Sequence, residues 1–95
     1  MVIILFNYAF CKLTPSKGRI YIGGVREFGF LEPDAQGKLL YISLLEKVDS
    51  LNLEFSDIWS IKIINDIVFF RSNNKIFRFK DNQIYVYNSS KFDFI

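Results

Sequence analysis

Between Ile58 and Ile95, apolar residues fall at alternate positions, and short polar stretches interrupt them at an even spacing. Alternation with a period of two is the mark of a half-buried strand. Asn65-Asp66, Asn73-Asn74 and Asp81-Asn82 separate the runs. Asn and Asp are favoured there because both central residues of a type I′ hairpin turn need positive φ. Asn88-Ser89-Ser90 reads as a further loop. The pattern predicts five antiparallel strands in a meander.

Those turns set a register. Ile61, Phe70, Phe77, Val86 and Phe92 fall in one row, and Ile63, Val68, Phe79, Ile84 and Phe94 in the next. Both rows are apolar throughout, and a slip of one residue would carry each to the opposite face. Trp59 is expected beside them. The other face reads Lys62, Phe69, Arg78, Tyr85, Asp93 and then Ser60, Arg71, Ile76, Tyr87, Lys91, with cations among aromatics.

The first half is less regular. Val2 to Phe10 is apolar on both faces and predicts an internal strand. Lys12 to Gly18 reads as a loop broken by Pro15 and Gly18. Arg19 to Leu31 predicts a hairpin turning at Gly23-Gly24. Lys38 to Ser50 carries a helical stripe of Leu40, Leu44, Val48 and Leu51, with Asp34 as a cap. The same segment alternates as Leu40-Ile42-Leu44, as a strand would; helix is the preferred reading. Leu51 to Phe55 reads as a short strand. One apolar face cannot offset the entropy of ordering five strands, so the N-terminal elements must cover it.

The expected fold is therefore mainly β, or α+β if the helix forms. It is one domain over 1–95: an antiparallel five-stranded C-terminal meander, forming a curved sheet or partial barrel. N-terminal strands and at most one helix near 38–50 cover it. The stretch FSDIWSIKIINDIVFF, Phe55 to Phe70, resembles the mid-sheet strands of bacterial PH-like domains. It covers under a fifth of the chain. Such domains close with a C-terminal helix where this chain reads as strands, so the resemblance assigns no family.

Composition narrows the classes of function. Ile, Asn, Lys, Phe and Tyr make 44 of the 95 residues, as AT-rich coding DNA of a low-GC bacterium, phage or mobile element would produce. The net charge of +2 implies no partner by itself. It is unevenly spread: Met1 to Asp57 has six cations and seven anions, net −1, and Ile58 to Ile95 has six and three, net +3. The one cysteine, Cys11, cannot form an internal disulfide, which points to a reducing cytoplasm. The chain has no histidine, the commonest acid–base group and metal ligand. Val2 to Phe10 is too short to span a bilayer and carries no signal-peptide features. No membrane association is expected.

No nucleotide-binding, nucleophile-elbow or zinc-binding motif occurs. Carboxylates at Glu27, Glu32, Asp34, Glu46, Asp49 and the positions after them read as a solvated face. Neither catalysis nor a metal or other cofactor is expected. The expected function is that of a small interaction protein that binds one protein partner and inhibits it by occlusion, as toxin-immunity proteins and phage-encoded inhibitors do. A toxin encoded by a neighbouring gene is the natural partner. The alternative is a nucleic acid or another polyanion. Lys62, Phe69, Arg71, Arg78, Tyr85 and Tyr87 are the candidate binding residues, because Tyr and Arg are enriched at binding hot spots. The acidic segment Glu46 to Asp57 is the second candidate surface.

Overall fold

The computed structural model describes the backbone of residues 10–88 and the side chains of 13–88. Strands make up most of the described chain, with almost no helix. Four strands, β1 (Phe10–Ser16), β2 (Arg19–Gly24), β3 (Glu27–Pro33) and β4 (Leu39–Ser43), form one antiparallel sheet. Four more, β5 (Ser60–Ile64), β6 (Ile67–Arg71), β7 (Lys75–Lys80) and β8 (Gln83–Asn88), form the second. In both sheets the order in space is the order in sequence. The predicted fifth strand of the meander and the apolar stretch Val2 to Ala9 lie outside the described residues.

The predicted register holds across all four described strands. Ile61 pairs with Phe70, Phe70 with Phe77, and Phe77 with Val86. Ile63, Val68, Phe79 and Ile84 make the neighbouring row. Asn65-Asp66 and Asp81-Asn82 adopt positive φ at both positions, as type I′ turns require. Asn73-Asn74 does not. Its turn is held by Ser72, whose Oγ accepts from Lys75 N at 3.1 Å while Ser72 N donates to Lys75 O at 2.9 Å.

Among the described residues the apolar rows do not wrap into a partial barrel. They face the first sheet across a sandwich of aromatic rings. Phe28 stands 4.8 Å from Phe70 and 4.7 Å from Phe77, centroid to centroid, and Phe30 stacks on Phe79 at 6.1 Å. Phe28, Phe70 and Phe77 have no solvent exposure. Leu44, Val48, Phe55 and Ile58, from the crossover between the sheets, close the same core.

Four readings of the first half are corrected, and one of the second. Residues 38–50 form no helix: they are β4 followed by short 3-10 turns at Leu45–Lys47 and Ser50–Asn52. The helical stripe has no common environment, since Leu44 is fully buried and Leu51 is 88% exposed. Strand alternation wins because β4 hydrogen-bonds to β3 and places Ile42 against the core. Asp34 caps a turn, its Oδ1 accepting from Gln36 N and Lys38 N, each at 2.9 Å. Secondly, the β2–β3 hairpin turns at Val25-Arg26, with Gly24 paired to Glu27. Gly23 stays in the strand because a Cβ there would stand 2.4 Å from Ile58 Cγ2. Its small size serves sheet packing. Thirdly, most of Lys12 to Gly18 belongs to β1, with Pro15 paired to Ile20 and only Lys17-Gly18 turning. Finally, Leu51 to Phe55 is not a strand, and Trp59 is 45% exposed and outside the core.

Among the described residues, no helix is long and apolar enough to cross a membrane.

Candidate functional site

The outer face of the second sheet follows from the same alternation that builds its core. Every residue opposite a core position points outward. One row pairs Lys62 with Phe69, Phe69 with Arg78, and Arg78 with Tyr85. The next pairs Ser60 with Arg71, Arg71 with Ile76, and Ile76 with Tyr87. A third, towards the Asn65-Asp66 turn, holds Ile64, Ile67, Lys80 and Gln83. All six residues expected to bind a partner therefore share this face.

The rows differ in accessibility. In the first, Lys62 and Tyr85 are exposed and Phe69 and Arg78 half-buried. The Arg78 guanidinium lies 5.3 Å from the centroid of the Tyr85 ring, within range of a cation–π contact. The second row is more closed: Ser60 and Ile76 are buried, the latter 1% exposed, and Arg71 and Tyr87 are half-buried. Arg71 covers the exposed Trp59 ring at 5.0 Å. In the third row Ile64 and Lys80 are exposed, with Ile67 between them. The accessible part of the face runs from Tyr85 and Arg78 to Lys62, Ile64 and Lys80.

Among the described residues its charge is of one sign. Strands β5 to β8 contain no Asp or Glu. Lys62, Arg78 and Lys80 enter no ion pair among the described residues. The nearby carboxylates, Asp66 and Asp81, lie in turns at the end of the sheet, and Lys17 of the first sheet binds Asp66. Three cations thus line up among exposed or half-exposed rings, a surface suited to holding anions and flat apolar groups. Among the described residues no group of His, Cys, Asp and Glu could hold a metal ion.

The first sheet contains a polar cluster that sequence reading missed. Glu27, expected in a solvated face, is partly buried, and its Oε1 accepts from the hydroxyls of Tyr41 and Ser43, each at 2.8 Å, and from Phe28 N at 3.1 Å. Burial pushes the Tyr41 phenol well above its ordinary pKa, and the hydrogen bond to Glu27 adds to the shift. The signal was present in the alternation of Leu39 to Ser43, which as a strand places Tyr41 and Ser43 on one face. Ser43 Oγ also accepts from Leu45 N at 3.2 Å, so the cluster ties β3, β4 and the crossover together. It is a structural brace.

Comparison with protein families, with curated proteins and with solved structures finds no match for this chain.

Proposed function

We propose that this protein is a non-enzymatic interaction module that binds a protein partner and inhibits it by occlusion, through the outer face of β5–β8. The observation that carries this reading is the sheet face of β5–β8, which holds no Asp or Glu on its described strands and sets Lys62 beside Phe69 and Arg78 beside Tyr85, with Ile64 and Lys80 in the neighbouring row. Aromatic residues and Arg are the types enriched at interface cores. A face built on paired strands presents them already ordered, which lowers the entropic cost of binding. Charge complementarity points to an acidic surface on the partner. The toxin of a neighbouring gene is the first candidate, and the lone cysteine agrees with an encounter in the reducing cytoplasm.

The test is the double variant Arg78→Glu, Tyr85→Ala. It is expected to keep its fold by circular dichroism and to lose both the recovered partner and the inhibition of that partner's activity. A folded variant that binds and inhibits like the parent would remove this face from the function.

A polyanion is the second reading, favoured by the same three cations next to rings on which bases can stack. A gel-shift titration with single-stranded DNA and RNA separates the two. Nucleic-acid binding through charge neutralisation is strongest at low salt. No retardation at ~50 mM salt would discard this reading.

A further inference from the structure

We infer that the outer side of the first sheet is a docking surface, and that its occupant is the chain's own apolar segment, residues 2–9. This side is separate from the β5–β8 face proposed above. Alternation along each strand sets which residues lie on it. Tyr21, Phe28 and Phe30 belong to the core between the sheets, so Ile20, Ile22, Gly24, Gly29 and Leu31 face away from that core. Ile22 and Leu31 are nevertheless 2% and 3% exposed, and neither joins the core cluster. Gly24 and Gly29 are buried with them. Among the described residues no strand or turn forms a layer over this side.

Neighbours within the sheet do not account for this burial. Ile22 pairs with Leu13 on one flank and with Gly29 on the other. Leu13 is itself 49% exposed, so it gives little cover, and a glycine has no side chain to give any. Tyr41 of β4 reaches across Gly29, its hydroxyl 2.8 Å from where a Cβ would stand, and shields that flank alone. The strip over Ile22 and Gly24, between Leu13 and Tyr41, is therefore covered from outside the sheet. Strands apolar on both faces belong to a layer covered on both.

Charge, position and reach select the occupant. Along the described strands of this side the one charged residue, Glu27, is taken up by the hydroxyls of Tyr41 and Ser43. The surface thus suits an uncharged apolar segment. Residues 2–9 read VIILFNYA and carry no charge. They lead directly into β1, which stands at one end of the strand order. At that entrance the pairing of β1 with β2 shifts register between Phe10 and Lys12, and a bulge of this kind bends a strand and breaks its ladder locally. Eight extended residues reach roughly 26 Å, and four paired strands are about 14 Å across, so the segment can cross the whole side. Residues 89–95, the other candidate, leave from the second sheet and carry Lys91 and Asp93. Occupied by residues 2–9, the side is closed to a second copy of the chain.

The experiment uses the full chain with carbon-13-labelled Ile and Leu methyl groups. Nuclear Overhauser contacts from the Ile22 and Leu31 methyls to residues 2–9 are expected. In an equal mixture of labelled and unlabelled protein, none of them should cross between copies. Contacts that do cross would assign this side to a second copy and overturn the inference. So would contacts confined to Leu13, Ile20 and Tyr41. Leu5→Asp and Phe6→Asp place a charge on alternate sides of an extended segment. At least one of them should abolish the contacts and raise the fluorescence of anilinonaphthalene sulfonate severalfold, as newly exposed apolar surface does. The amide shifts of β5–β8 should stay at their parent positions, which separates uncovering of this side from loss of the fold. Both variants keeping the contacts and the parent's dye signal would equally refute the assignment.

Discussion

Replacing Phe77 by alanine removes the ring on which both layers converge. Phe77 has no exposure, lies 4.7 Å from Phe28 of the opposite sheet and meets Phe55 of the crossover edge-on at 5.0 Å. The substitution loses the transfer energy of a buried benzyl group and leaves a cavity between sheets whose strands are paired and cannot collapse freely. Such changes cost ~3–5 kcal/mol. The lost ring contacts, at ~0.5–1.5 kcal/mol each, are part of that sum. A domain of this size has about 5–15 kcal/mol in all, so the variant should remain folded only marginally. At ~4–8 °C per kcal/mol, its melting temperature should fall by about 12 °C or more. Tyr85→Ala is the control. Tyr85 is on the opposite face, 45% exposed, and loses the contact with Arg78 and an exposed hydrogen bond to Gln83 Oε1, together worth about 1–2 kcal/mol. Urea titration of both variants, with the parent slope retained, makes the comparison. Equal costs would falsify the assignment of inner and outer faces.

Two further outcomes follow from the first sheet. Gly29→Ala would place a Cβ 2.2 Å from the Ile42 carbonyl oxygen and 2.8 Å from the Tyr41 hydroxyl; because backbone must move, the variant should lose at least ~1–3 kcal/mol in urea, and parent-like stability would refute the close approach of β3 and β4. Tyr41 has a native pKa raised by burial and by Glu27, so its stabilisation is complete below the unfolded value of about 10 and is lost as pH rises beyond it towards the native value. Denaturation of parent and Tyr41→Phe across that range should show the parent losing its advantage on the alkaline side; parallel curves would mean the phenol is not held neutral in the fold.

The second half was legible because local chemistry and long-range packing agree there. Asn65-Asp66 and Asp81-Asn82 specify the turns, the turns fix the register, and the register puts Phe70, Phe77 and Phe79 on one side and Lys62, Arg78 and Tyr85 on the other. The first half was harder because its signals have two meanings. Gly23-Gly24 reads as a turn, yet Gly23 is small because Ile58 packs on it from the other layer, a contact invisible along the chain. Leu40, Leu44 and Val48 suit a helix as well as a strand followed by turns. The open edge of β3 decided for the strand. Pro15 suggested a break but is accommodated at β1, which stands at one end of the strand order among the described residues. The candidate face was legible as a set of six residues. The burial of Ser60 and Ile76 within it was not, because alternation reports which side a residue faces and nothing of what lies above it.

The uncrossed order of the strands also bears on how the chain reaches its native state. Each ladder is assembled from hairpins whose partners are neighbours in sequence, and among the described residues the chain passes between layers only once, over 44–59. Closing each hairpin costs little entropy, and topologies rich in local contacts fold quickly for all-β proteins. The slow event is then the meeting of two preformed ladders, governed by the effective concentration that the crossover imposes. A nick within 44–59 would separate no strand from its ladder neighbour. It would turn that meeting into a bimolecular reaction, with the rate of refolding set by the concentration of the two halves.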